Sequence, residues 1–259
     1  MGSRPPNGLL ASLPPADYEA LRPHLRIAEL TDEAILTEAG KPIRRVYFPH
    51  SGIISVVVRF AGGEMVDVAL IGRDSVFGAS AALNGGTSPS NAIVRLPGTA
   101  SVLDIARLRA AADQSARFRA ALMQHEEFLF AQAQQSAGCN AVHCLESRLS
   151  GYLLRLRDLS GSDTLHATQE SLAEMLGVRR NSVSIVANAL QQAKLIRYHR
   201  GVVEIVDLKG LRASACECYE VIETHRDRLL QSETYGDRER GAEPNRRSGS
   251  RSRPPSRGS

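Results

Sequence analysis

The sequence has no tryptophan, only four cysteines in 259 residues, and no apolar run long enough to cross a bilayer. Each shortage excludes something. The most apolar stretches, such as IISVVV at Ile53 to Val58, fall far short of the about 20 residues a membrane helix needs. The opening MGSRPPNGLLASLPP carries no signal-peptide core ahead of its prolines, so a cytoplasmic chain is expected. Cys139, Cys144, Cys216 and Cys218 are too few for a disulfide scaffold and are expected to be reduced. Catalytic signatures are missing as well. There is no Gly-x-Ser-x-Gly elbow, no phosphate loop ending in Gly-Lys-Ser/Thr, and no His-Glu-x-x-His. His50 lacks the His-x-His and following Glu that a cupin-like metal site would need. No enzyme is expected.

Positive charge is also scarcer than the net value of +4 suggests. From Asp237 onward, seven arginines oppose Asp237, Glu239 and Glu243, and this segment alone carries the whole excess. Rich in Arg, Ser, Gly and Pro and without an apolar face, residues 233–259 are predicted to form a disordered basic tail.

What the chain does have is two periodicities in succession. From Arg26 to Ile105, short β-branched runs alternate with turn signals. Gly62-Gly63 sits between IISVVVRF and EMVDVALI, and Pro97-Gly98 between NAIVRL and ASVLDI. This pattern predicts a small antiparallel barrel or jelly roll, with PADYEALRPHL as a leading helix. After Ile105 the period becomes helical. Phe118, Ala121, Leu122, His125, Leu129, Gln132, Ala133 and Ser136 form one stripe on a long helix, predicted to pair with a second copy of the chain rather than merely to cover the barrel. A further helix, AVHCLESRLSGYLLRLRDL, is expected after a break at Gly138. The expected fold class is α+β: a sensor barrel over 9–115, a dimerisation helix over 116–137, and a DNA-binding domain over 138–232.

The chemistry concentrates in TQESLAEMLGVRRNSVSIVANALQQAKL, Thr168 to Leu195. Thr168 caps a short helix whose Leu172, Ala173 and Leu176 share a face, and Gly177 ends it. The next helix turns Val183, Val186, Ala187 and Leu190 inward, leaving Arg179, Arg180, Asn181, Ser184 and Asn188 outside. Two short helices joined by a Gly turn, the second with donors near its start, read as a helix-turn-helix. LIRYHRGVVEIVDL follows as a hairpin whose Arg200-Gly201 tip can reach a phosphate.

This segment resembles the winged helix-turn-helix of the Crp/Fnr family of bacterial transcription regulators, and CLESRLSGYLLRL resembles the helix that precedes it there. The resemblance covers Leu9 to Leu230 and implies a cyclic-nucleotide-binding-like barrel, a dimer helix and a winged helix, in that order. It implies a homodimer on palindromic double-stranded DNA, with RNA polymerase as a further partner and no membrane. Family members place a Ser or Thr cap, Arg, Glu and a second Arg along the recognition helix. Here Arg179 stands at the cap, Arg180 is kept, Asn181 replaces the Glu, and Ile185 replaces the second Arg. Arg180 is expected to grip guanine, Asn181 adenine, and Ile185 a thymine methyl. Gln169, Ser182 and Arg200 are candidates for phosphate positioning, and Ser184 completes the DNA-binding set.

The stretch SVFGASAALNGGTSPSNAIV, Ser75 to Val94, aligns with the family's phosphate-binding cassette. Gly78 is retained, but Ala79 replaces the Glu that would hold a ribose hydroxyl, and Ser90 replaces the Arg that would neutralise the phosphate, beside Asn91. Losing that contact costs about 1.5–3 kcal/mol. Cyclic AMP is not expected as effector, no cofactor or metal is assigned, and Arg73, Arg95 or the partner helix would have to supply a substitute cation. An iron-sulfur cluster is not expected, because no cysteine lies near the N-terminus. His125 is read as a core residue rather than a haem ligand. Cys139, His143, Cys144, Cys216 and Cys218 are read as bystanders that would form a metal or thiol switch only if their helices meet. Alternatives to the DNA regulator of unknown effector are thus a redox- or metal-responsive regulator and a protein-binding adaptor.

Overall fold

The computed structural model describes residues 5–235. The chain opens with α1 (Gly8–Ser12), α2 (Pro15–Leu21) and a 3-10 turn at Arg22–His24. Asn7 caps α1 and also donates from Nδ2 to the carbonyls of Pro49 and Ser75, fastening this segment to the barrel. The barrel comprises β1 (Arg26–Leu30), β2 (Ile35–Thr37), β3 (Arg45–Pro49), β4 (Ile53–Arg59), β5 (Met65–Ile71), α3 (Ala79–Asn84), β6 (Asn91–Leu96) and β7 (Gly98–Asp104). Its strands pair antiparallel in two sheets, of order β1-β7-β3 and β2-β6-β4-β5. Ile54, Ile71, Val94 and Ala100 are among the buried side chains of its interior. The Gly62-Gly63 signal closes the β4–β5 hairpin, where Gly63 takes a φ of 96°.

The long helix starts where the sequence-based expectation puts it, at Ala116, and ends later than expected. The helical region is divided at Ser115 into α4 (Ile105–Gln114) and α5 (Ala116–Val142), and Ser115 caps the second by accepting from the Phe118 amide. Gly138 does not end α5, which runs on to a break at His143 and Cys144. A Cβ built at Gly138 would meet nothing within 4 Å, so this glycine sits at the helix surface and costs about 1 kcal/mol of propensity without forcing a stop.

The stripe on α5 docks on the chain's own barrel. β5 is an edge strand of its sheet, and an edge leaves backbone groups unpaired. The polar members of the stripe satisfy them. Gln132 Oε1 accepts from the Leu70 amide at 3.1 Å, and Ser136 Oγ donates to the Val68 carbonyl at 3.1 Å. Just beyond the strand, His125 Nε2 accepts from the Val76 amide at 3.2 Å. This explains polar residues in an otherwise apolar row, and it leaves a different face of α5 exposed. Ala116, Ala120, Met123, Glu127, Phe130, Gln134, Ala137 and Ala141 follow one another at alternating steps of four and three, and all are exposed.

The C-terminal part comprises α6 (Leu145–Ser160), β8 (Thr164–His166), α7 (Gln169–Leu176), α8 (Arg180–Gln192), β9 (Ile196–His199), β10 (Val202–Ile205), α9 (Leu208–Ser214) and α10 (Cys218–Tyr235). Residues 233–235 belong to α10, and the rest of the predicted tail lies outside the described residues. The strands form one antiparallel sheet of order β8-β10-β9. Arg200 and Gly201, at φ 46° and 78°, make the two-residue turn between β9 and β10, a left-handed pair suited to a hairpin. The core of this part, with Leu153, Leu172, Val183 and Val203, is continuous with Ile53, Leu70 and Leu96 of the barrel.

Candidate nucleic-acid interface

The helix pair is built from local signals. Thr168 Oγ1 accepts from the Ser171 amide at 3.0 Å, opening α7. Gly177 closes it at φ 63°, where the residue's missing Cβ would lie 2.7 Å from Cγ2 of Val66 on the β4–β5 hairpin. The turn thus needs glycine twice, for its left-handed backbone and for the approach of the barrel. Leu172, Ala173, Met175 and Leu176 of α7 are buried, as are Val183, Ala187 and Leu190 of α8, while Val186 is half-buried.

Arg179, Arg180, Asn181 and Ile185 are exposed together on the N-terminal half of α8, and Ile185 is 71% exposed. An isoleucine so open to water, on a helix that begins with two arginines, suits a groove lined by methyl groups and phosphates better than it suits solvent. No side chain caps α8, so its first amides and the positive end of its dipole remain available. Ser182 is half-buried behind this group. Gln169 and Ser184 are engaged with each other: the Ser184 hydroxyl donates to Gln169 Oε1, bracing α7 against α8. Arg200 stands apart at the exposed β9–β10 tip. A contact that sequence reasoning missed is Glu170, whose carboxylate lies 3.7 Å from Arg180 Nε.

The winged part is tied to the barrel through charge. Buried Arg95 on β6 meets Asp67 at 3.1 Å and reaches Glu174 of α7 at 3.4 Å, while the Tyr152 hydroxyl of α6 donates to Asp67 at 2.7 Å. Burial and the neighbouring Asp67 push the Tyr152 phenol well above its usual range. Arg155, also buried, donates to Gln132 of α5 at 2.7 Å, and desolvation lowers its guanidinium from its ordinary value. Arg95 is therefore committed to the domain junction, and Arg73 lies beside Gly161. Neither lines the cassette.

The cassette itself borders a cavity of roughly 740 Å³, part of it open to solvent, between the barrel and α5. Gly78, at φ 94°, and Ser90 line it. Ala79 does not: it is fully buried in the cluster beneath α1 and α4. Asn91 does not either, since its Oδ1 accepts from the Ala39 amide on another side of the sheet. The charged residue in the cavity wall is Glu126 of α5, whose Oε1 accepts from the Ser80 amide at 3.0 Å. An acidic side chain occupies the first turn of α3, where the resemblance implies a phosphate. His125 is fully buried beside it and held by Val76, as a core residue.

Cys139, His143, Cys216 and Cys218 converge between α5 and α10, whereas exposed Cys144 lies apart with Ser147. Burial pushes the Cys139 and Cys216 thiols up.

Comparison with known proteins gives a consistent picture. Residues 28–115 match the model of the cyclic nucleotide-binding domain, and residues 147–214 match that of the Crp-like helix-turn-helix domain; together they cover more than half of the chain. The Global nitrogen regulator of Nostoc sp. (strain PCC 7120 / SAG 25.82 / UTEX 2576) is 25% identical over 175 residues, covering 64% of this chain and 78% of that protein. Among solved structures, FixK2 from Bradyrhizobium japonicum superposes with a TM-score of 0.64 at 14% identity, over 74% of this chain and 98% of that one. A putative transcriptional regulator of the Crp/Fnr family from Eubacterium rectale gives 0.61 at 16% identity, over 79% and 96%. At these identities the structural likeness speaks for the fold.

Proposed function

Because the chain belongs to the Crp/Fnr family of DNA-binding transcription regulators, and not to a family of enzymes, we propose that it acts in the cytoplasm as a homodimer on a palindromic operator, without control by cyclic AMP. The observation that carries this reading is the group of Arg179, Arg180, Asn181 and Ile185, exposed on a helix whose opposite face is buried. Two-fold symmetry sets the two copies of α8 one helical turn of DNA apart, about 34–36 Å. Arg180 leaves Glu170 and takes guanine O6 and N7 together, Asn181 takes adenine, and Ile185 packs on a thymine methyl. Arg179 and Arg200 hold phosphates, with Ser182 as a neighbouring donor. Gln169 and Ser184 act by bracing α7 against α8.

The dimer forms through the exposed face of α5 that contains Met123 and Phe130, not through the stripe buried on the barrel. Those two side chains are 53% and 65% exposed, and steps of four and three are the spacing of a two-helix seam. In the sensor, Glu126 already occupies the Ser80 amide and would repel a cyclic phosphate. The cavity therefore suits an uncharged or cationic effector. RNA polymerase is the partner a regulator bound at a promoter would meet.

Selection of binding sites from random DNA with the pure chain tests the reading. Enrichment of a palindrome with two half-sites one turn apart is expected; recovery of sequences without common motif contradicts it.

A further inference from the structure

The end of α5 and the start of α10 meet in a side-chain cluster that DNA recognition does not use. Cys139 lies in the last turn of α5 and His143 closes that helix four residues on, so both point to one side. Cys216 precedes α10, and Cys218 is its first residue. Cys139 Sγ is 3.5 Å from Cys216 Sγ, and Cys218 Sγ is 3.4 Å from His143 Nδ1. All four ligand atoms lie within 4.8 Å of one another.

These separations have a chemical meaning. Zn–S bonds of about 2.3 Å and a Zn–N bond of about 2.0 Å, arranged tetrahedrally, set S···S near ~3.8 Å and S···N near ~3.5 Å. The two short contacts need to open by a few tenths of an ångström, and the widest pair, within 4.8 Å, to close by up to about 1 Å. A multi-iron cluster spreads its thiolates around several metal atoms and does not fit a set this tight.

The surroundings are those of a ligand set. The other ring nitrogen of His143, Nε2, is 3.3 Å from Glu217 Oε1, so a carboxylate orients the imidazole with Nδ1 turned into the cluster. Gln135 Nε2 donates to Cys218 Sγ at 3.0 Å, an interaction that suits a thiolate. Cys218 is buried and the other three are half-buried, which limits access by water.

We propose that Cys139, His143, Cys216 and Cys218 bind one divalent cation of zinc type through three thiolates and an imidazole. Four protein ligands leave no open position, so the ion is structural. It clamps the long helix to α10 next to the His143–Cys144 break, where the chain turns into α6 and the DNA-binding part.

The full chain, stripped of metal with a chelator and kept reduced without oxygen, is titrated with cobalt(II). One equivalent is expected to give the strong visible bands of a tetrahedral site and a thiolate charge-transfer band, both removed by zinc. Cys144→Ser keeps this spectrum; Cys139→Ser and Cys216→Ser lose thiolate intensity. A second measurement needs no variant: alkylation of the unmutated chain, read by mass spectrometry. Zinc is expected to slow reaction at Cys139, Cys216 and Cys218 by at least about tenfold while leaving Cys144 reactive. Weak octahedral cobalt bands, or four cysteines alkylated alike with and without zinc, would overturn the proposal.

Discussion

Two helix N-termini of this protein meet opposite partners. α3 opens at Gly78 inside the sensor, and Glu126 of the same chain reaches its Ser80 amide. α8 opens at Arg179 on the surface, uncapped, with Arg180 and Asn181 beside it. Aligned peptide dipoles make both ends partly positive. In the sensor that charge is answered from within, and at the surface it is reinforced, with only the exposed Glu170 leaning on Arg180. Under the proposed function, the difference assigns the external anion to α8, as a DNA phosphate, rather than to α3, as a nucleotide phosphate.

The comparison breaks most severely on the α8 side if the two copies are separated. Phe130→Lys removes two aromatic side chains from the proposed seam, each contributing about 1.5–3 kcal/mol when buried, so the dimer dissociation constant should rise about 10²–10⁴-fold. Sedimentation equilibrium measures it, and operator affinity should fall in parallel. Arg180→Ala keeps the dimer and removes the base grip. It should cost about 2–6 kcal/mol on the selected operator, about 1–3 for each of the two copies, and relax preference at one position of each half-site, read by fluorescence anisotropy across single-base variants. The α3 side is sharpened by reversal. Ser90→Arg combined with Glu126→Gln supplies a cation and withdraws the carboxylate charge. Calorimetry with cyclic AMP should then show affinity about ten- to hundredfold above that of the unmutated chain.

The smallest effect lies away from both helix ends. Arg212 donates to Glu220 at 2.8 Å across α9 and α10, and that hydrogen bond holds the Glu220 carboxyl below its ordinary value of 4.5. A depressed carboxylate stabilises the fold above its unfolded pKa and loses that contribution as pH falls through the folded one. Glu220→Gln should therefore lower stability by about 0.2–1 kcal/mol at neutral pH, as befits an exposed pair. Thermal melts of the two proteins should converge as pH falls from the ordinary carboxyl range through the lower pKa of the folded Glu220.

The winged helix was legible because its signals are local. Thr168, Gly177 and the Arg200-Gly201 turn each fix a boundary through the geometry of neighbouring residues. The jelly-roll strands were legible for the same reason, from glycine turns between β-branched runs. What escaped depends on distant groups. The α5 stripe announced burial, but it was expected to face a second copy of the chain and instead meets the barrel; the clue lay in its polar members, since Gln132 and Ser136 serve an edge strand more than 60 residues away. The start of α5 at Ala116, by contrast, coincides with the expected start of the dimerisation helix, where a serine three residues before Phe118 is a readable cap. The role of Glu126 follows from a contact across 46 residues, and the meeting of Cys139 with Cys216 from one across 77. No periodicity reports either.

The central claim is that α8 takes the external anion and α3 does not. Its most direct test is titration of the selected palindrome with the unmutated chain, with and without saturating cyclic AMP, at fixed salt. One dimer per palindrome and an affinity unchanged by the nucleotide are predicted. An affinity that rises about tenfold or more when the nucleotide is added would contradict the account.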